Sequence, residues 1–306
     1  MKQLAATVAL TCGLSLVNTA ADFSIVEKSG ETITVSYKSK PVVHLMTKND
    51  LSSKETAHDT YKVYLHVNDP TSPSRTITKG AGDKFTHHRG IYIGWSKTRI
   101  AGKSYDTWHM KGFVRQVFNK MTHFKSGPDR ASFTAHIKWV NGDEILLSEE
   151  RTFTIHKPAN NGAFLIDKQS KITAAKADTE LDGDPEHAGC QFRASAQVVK
   201  NKSAKYIFPD GPMDQKSVIA ARNLPWAAMT FKAHGNDYHV QHMTHSSVAK
   251  PVRYSAYRDY GRFGAFPVTK IKKGESATFK FRFYISPGAF PDSIVADCEK
   301  RHTEFN

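Results

Sequence analysis

The sequence predicts an all-β protein: one large antiparallel β-sandwich finished by a short C-terminal helix. Three observations carry that prediction. From Arg130 to Trp139 polar and apolar residues alternate without a break, with Ala131, Phe133, Ala135, Ile137 and Trp139 on one face and Arg130, Ser132, Thr134, His136 and Lys138 on the other. Period two held over such a run marks an antiparallel strand with one wet face. Short β-rich runs recur along the rest of the chain between turn residues, with no strand–helix–strand rhythm. Helical periodicity is scarce, the fair candidate being Pro291 to Thr303.

In chain order, Met1-Lys2-Gln3 is a basic start, Leu4 to Val17 an apolar run, and Thr19-Ala20-Ala21 a small-residue site. That three-part layout predicts a secretory signal peptide over residues 1–21, too short in its apolar part to span a bilayer comfortably. Ala9-Leu10-Thr11 before Cys12 is a poor lipoprotein signature, so no lipid anchor is expected. Residues 22–306 then form a single β-sandwich domain, with no Pro-, Gly- or Ser-rich linker to divide it. Phe23 to Glu27, Thr32 to Tyr37 and Pro41 to Met46 read as strands; Asn49 to Asp59 reads as a polar loop. Tyr61 to Val67 is a strand ended by Asn68-Asp69-Pro70, and Gly80-Ala81-Gly82 leads flexibly into a strand at Ile91 to Trp95. Asn141-Gly142 is a hairpin signal, after which Arg151-Phe153-Ile155, Ala163 to Thr173 and Phe279 to Ile285 resume the alternation.

The formal charge is +14. Such a field draws nucleic acid, anionic membranes and acidic polysaccharides alike. The lysines are scattered rather than set beside stacking aromatics, which argues against nucleic acid, and for an exported protein the fitting partner is a carbohydrate, including an anionic polysaccharide. No later stretch is long and apolar enough for a membrane helix, so the expected place is the periplasm or the extracellular space. Cys190 and Cys298 remain after the leader and read as free buried thiols rather than a pair. No motif for a nucleotide or a serine nucleophile occurs, so no cofactor is expected. Nor is a metal: His242 and His245 lack a completing ligand. No feature sets an oligomeric state.

Chemistry-bearing residues gather in three clusters. The first runs from Phe85 to His109 and holds His87, His88, Arg89, Trp95, Asp106, Trp108 and His109. As a strand, His87, Arg89, Ile91, Ile93 and Trp95 share one face, and His88, Gly90, Tyr92 and Gly94 the other. With Ile91 and Ile93 in the core, His88 and Tyr92 look into a cleft bordered by glycines. Imidazole suits proton transfer near neutral pH. Trp95 and Trp108 offer flat apolar faces with a polar tip, a match to a sugar ring, and the polar neighbours of Trp108 predict that it faces a pocket. The second cluster holds Glu186 and His187, read as an acid–base pair, with Gln191 and Arg193. The third holds His239, His242 and His245, then Arg258, Asp259 and Tyr260.

The run from His87 to Trp95 with Asp106-Thr107-Trp108-His109 resembles a large bacterial secreted family of unknown function formerly labelled "methane oxygenase PmoA". The segments Glu186 to Arg193 and Arg258 to Gly264, with His245, extend the resemblance over essentially the whole mature chain. Many members carry a Pro before the His pair and an Asp-His-Pro near the third cluster, where this chain has Thr86 and Thr244-His245-Ser246. The resemblance implies a soluble β protein associated with sugar catabolism, laid out like the β supersandwich of galactose-mutarotase-like proteins. The oxygenase label itself fails, because the true subunit crosses the membrane many times.

Two functions are then expected, in this order. The first is a carbohydrate-active enzyme moving a proton at a sugar carbon, epimerase- or lyase-like. His87 or His88 is its base and Glu186 or His187 its acid, while Arg89 and Arg193 steady oxyanion charge or a uronate and Trp95, Asp106, Trp108, His109, Gln191, His245, Arg258 and Tyr260 bind. The second is a carbohydrate-binding protein that uses the same residues without turnover; a metal-dependent enzyme ranks last. Either way, the three clusters are expected to share one pocket.

Overall fold

In the computed structural model, which describes residues 14–17, 22–184 and 186–306, two large antiparallel sheets enclose the core. Residues 1–13 and 18–21 of the expected leader lie outside the described residues, while Leu14–Val17 pairs with Phe23–Lys28 at the edge of the first sheet. That sheet continues through Thr32–Tyr37, Lys40–Met46, Tyr64–Asp69, Ile91–Trp95, Ala188–Arg193 and Arg262–Pro267 to Val252–Arg258. The second runs Val114–Ser126, Arg130–Asn141, Glu144–His156, Phe164–Thr173, Ser276–Pro287, Asn236–Thr244, Trp226–Ala233 and Lys205–Ile207. A smaller four-stranded sheet joins Thr269–Ile271, Thr179–Asp182, Lys97–Ile100 and Lys103–Tyr105.

The alternation in the sequence decides which faces meet. Ala131, Phe133, Ala135 and Trp139 are fully buried while Arg130 and Lys138 face water. Trp95 of the first sheet packs against Trp139 and Phe279 of the second, and Phe192 against Phe231 and Phe283. This one apolar interior holds most of the buried hydrophobic surface, the dominant favourable term in folding. The C-terminal helix forms over Ile294–Thr303, a turn later than Pro291, and buries Ile294 and Cys298 against Trp226 and Met243. Cys190 lies in the main core, and both thiols are free.

The stretch expected to be a loop, Asn49 to Asp59, carries a helix over Lys54–Thr60. It buries no residue, so no apolar period betrays it. A capping box holds its start instead: the Ser53 hydroxyl accepts from the Thr56 amide, and Thr56 Oγ1 accepts from the Ser53 amide.

Strand order brings the three clusters together. Ile91–Trp95 pairs with Ala188–Arg193, Ile91 opposite Phe192 and Trp95 opposite Ala188; that strand pairs in turn with Arg262–Pro267, Arg193 opposite Arg262. The first cluster, the second and the Arg258 to Tyr260 part of the third therefore each enter one of three adjacent central strands, while His239 and His242 lie on a strand of the second sheet.

Candidate functional site

Ile91, Ile93 and Trp95 point into the inter-sheet core as expected, and Tyr92 points out of it. The glycines beside Tyr92 do not border a cleft. A Cβ at Gly90 would sit 2.1 Å from the Leu65 carbonyl oxygen, and one at Gly94 2.3 Å from that of Thr107. They let neighbouring backbone close over the strand. Two aromatics expected to meet a sugar are enclosed. Trp95 is wholly buried and its indole donates to the Pro267 carbonyl at 3.0 Å, which makes it a core anchor. Trp108 is also fully buried, 4.9 Å from the Tyr92 ring and one layer beneath the imidazoles. Its polar neighbour Thr107 misled, because that hydroxyl is itself buried and bonds to Thr98 and to the Trp95 backbone.

Above Trp108 the imidazoles meet. Ring centroids are 4.4 Å apart for His87 and His88, 4.6 Å for His87 and His109, and 4.8 Å for His109 and His187. They come from three places: the strand entrance, the turn after Tyr105, and the turn before Ala188. Two are oriented by a carboxylate three residues earlier. His109 Nδ1 lies 2.8 Å from Asp106 Oδ2, and His187 Nδ1 2.8 Å from Asp184 Oδ1. Both carboxyls are held below their ordinary range, Asp184 at about 2; burial alone would raise them, but the hydrogen bonds from the imidazole and the backbone outweigh it. An ionised carboxylate only accepts, so each Nδ1 carries the proton and each Nε2 keeps its lone pair in the neutral ring. His87 is held down at about 2, by burial first and then by Lys62; burial, with Arg193 next, also drives His88 well below its ordinary value.

Glu186 corrects the expected acid–base pair. It accepts from Arg258 at 2.6 and 3.0 Å, from the Tyr257 hydroxyl at 3.1 Å and from Arg262. Burial would raise its carboxyl, but Arg262 and Arg258 win and hold it at about 2. It is an ionised clamp with no proton to give. Sequence neighbours diverge in this turn, and His187 takes Asp184 as its partner instead.

Cations crowd the floor. Lys62 is buried, donates to the His87 carbonyl at 2.6 Å and sits 4.1 Å over the Tyr92 ring. Burial, followed by Arg89 and Arg193, pushes its ammonium well down. Arg193 is 2% exposed, lies 5.5 Å over Trp108 and has the Tyr92 hydroxyl beside its guanidinium, but among the described residues no carboxylate pairs with it. Arg89, expected beside it, spends its guanidinium on the carbonyls of Thr86, His88 and His58 and so ties the entrance loop to the helix Lys54–Thr60.

The remaining expectations divide. Tyr260 stands 6.4 Å from His88 and takes a hydrogen bond from Arg262, so the third cluster does reach the site through Arg258 and Tyr260. Gln191 is buried, donating to the Ala188 carbonyl under Gly264, as framework. His245 is not brought in: it bonds Ser247 and packs on Phe305 at the C-terminal helix. His242 lies in the core against the Cys190 carbonyl, and His239 bonds the Gly288 carbonyl. Residues of the site that were given no role from the sequence are Lys62, Phe85, Asp184, Tyr257 and Arg262. For Lys62 there was a signal, a lone cation inside the apolar strand run from Tyr61 to Val67. Among the described residues no group of three or more His, Cys, Asp or Glu is placed to hold a metal ion.

No curated protein matches the chain. Solved structures that resemble it include a heparan sulfate lyase HepC mutant from Pedobacter heparinus, at 11% identity and a TM-score of 0.39 over 90% of this chain and 37% of the lyase. Others are the Slr1438 protein from Synechocystis, at 10% identity and a TM-score of 0.37 over 92% of this chain and 99% of that one, and the alpha-galactosidase from Lactobacillus brevis, at 9% and 0.39 over 90% and 40%. The chain thus spans little more than a third of the lyase, and likenesses at this level establish no activity. None of these matches carries the oxygenase label attached to the resemblance. A family model matches residues 32–298, and the chain belongs to that family, DUF6807, a family of unknown function.

Proposed function

We propose that this is an exported carbohydrate-active enzyme that moves a proton at a carbon of an acidic sugar, as an epimerase or a lyase does. The observation that carries the reading is the pair His109 and His187, 4.8 Å apart, each tied through Nδ1 to its own aspartate. One Nε2 takes the proton from the carbon next to a uronate carboxylate, and the electron pair moves onto the carboxylate. Arg193 supplies positive charge against that developing anion, and Lys62 adds to it when protonated. Return of a proton to the opposite face from the other imidazole, protonated at both nitrogens, gives the epimer; transfer of the abstracted proton from Nε2 to the leaving oxygen one carbon further, as that C–O bond breaks, gives an unsaturated sugar. Asp106 and Asp184 are positioning residues, since they act through the imidazoles.

The test is incubation of the protein in D2O with a panel of uronate-bearing oligosaccharides, reading deuterium at the acidic carbon and the ultraviolet absorbance of an unsaturated product. Turnover that disappears in His109→Ala and His187→Ala supports the reading. The clamping of Glu186 favours a second one, a binding protein without turnover. Binding with no exchange and no product, weakened in the same variants, establishes it and ends the enzyme reading.

A further inference from the structure

Beside the imidazoles, separated from them by Tyr61 and Met110, lies a groove of ≈ 310 Å³. Leu51, Lys54, His58, Phe113 and Arg115 line it with those two. We infer that this groove binds further sugar residues of the same acidic chain, outside the reacting unit; the inference rests on the function proposed above. Three observations point there. Phe113 is 76% exposed and Leu51 56%, and both of these large apolar side chains open onto this groove. Such exposure costs solubility unless something covers it. An aromatic face offers a sugar ring's C–H side the contact it needs.

The rim supplies the sign of the ligand. Lys54 and Arg115 line the groove with no carboxylate among its lining residues, and the buried Nε of Arg115 has no hydrogen-bond partner among the described residues. The charge complements a uronate or sulfate group rather than a neutral glycan.

Continuity supplies the register. Met110 directly follows His109, the Tyr61 hydroxyl lies 3.5 Å from the Thr86 carbonyl, and Lys62, next in sequence, bonds the His87 carbonyl. Tyr61 and Met110 thus belong both to the lining of the groove and to the segments that carry the imidazoles.

Affinity electrophoresis through gels containing polygalacturonate, alginate, hyaluronan or heparin tests the inference, with dextran as the neutral gel. The wild-type protein is expected to be retarded by at least one acidic gel and not by dextran. Phe113→Ala should weaken that retardation roughly three- to tenfold, the size of one lost aromatic contact. Phe124→Ala, at another exposed Phe, is the control. Oligosaccharides of increasing length, cut from the polymer that binds, should gain affinity with length for the wild type and much less for the variant. Equal retardation of Phe113→Ala and wild type overturns the subsite while leaving the proposed function standing. Retardation by dextran alone overturns its charge. Failure of every acidic gel removes the acidic-sugar reading and the subsite with it. A wild-type dimer that Phe113→Ala converts to monomer overturns the subsite too, by showing that a second copy covers the groove.

Discussion

Replacing Glu186 by Gln separates a clamp from a catalytic acid. The wild-type carboxylate faces Arg258, Tyr257 and Arg262, and its carboxyl is held from the ordinary 4.5 down to about 2. A shift of that size corresponds to roughly 3 kcal/mol of stability at neutral pH if the site were dry. It is not dry: the side chains of Glu186 and Arg258 are 24% and 39% exposed, and solvent screening brings the figure to about 1–2 kcal/mol. Gln fills the same volume but leaves Arg262, only 5% exposed, facing no charge. At about 2 kcal/mol, a chain of this size loses roughly 3 °C of melting temperature. Because the folded carboxyl titrates below the unfolded one, this stability is present above about pH 4.5 and is lost as pH falls towards 2. Urea denaturation of both proteins at stepped pH is the assay. The deficit of Glu186→Gln should be largest near neutrality and close with acid. An equal deficit at all pH values, or none, refutes the clamp. So does a variant of unchanged stability that has lost turnover, since that is the behaviour of an acid.

Three further outcomes are expected. The His87 imidazole, held at about 2 by burial and then Lys62, should not titrate in nitrogen-15 NMR between about pH 5 and 8, and Lys62→Met should raise it; because the unfolded ring binds protons below 6.5, acid destabilises the fold here, and a ring titrating near neutrality refutes the placement. Trp95→Ala should cost about 3–5 kcal/mol in urea unfolding while the folded fraction still binds glycans, whereas lost binding at unchanged stability would return Trp95 to the site. Cys190 and Cys298 should resist alkylation in the native protein and both react after denaturation, with no change of melting temperature under reductant; an intramolecular cross-link seen by mass spectrometry contradicts this.

What could be read in the sequence was what burial writes with a simple period. Phe133 to Trp139 and Phe279 to Ile285 were legible because every second residue enters the core. Convergence of the first two clusters with Arg258 to Tyr260 was legible too, because each of these precedes or begins an apolar strand and those strands pair directly. The helix Lys54–Thr60 was not, since it buries nothing and a cap holds it. Nor was the enclosure of Trp108, which depends on where the Thr107 hydroxyl goes, or the divorce of Glu186 from His187, which depends on a turn. His245 failed for a different reason: its place is set by Phe305 at the far end of the chain, a contact no local pattern announces.

The cations on the floor bear on both halves of the proposal. Arg193 is buried with no carboxylate bonded to it among the described residues, an arrangement that costs several kcal/mol and that apolar residues would avoid, and burial, then Arg89 and Arg193, pushes the Lys62 ammonium well down. A ligand carboxylate can supply the missing charge. The same two cations help hold His87 and His88 neutral, the form that accepts a proton, though at the expense of basicity. An acidic sugar seated against Arg193 and Lys62 cancels their field and lets the neighbouring imidazoles regain basicity. On the proposed reading, then, the substrate carboxylate offsets the charge that bears on His87 and His88, while His109 and His187, each tied to its own aspartate, carry the proton transfer.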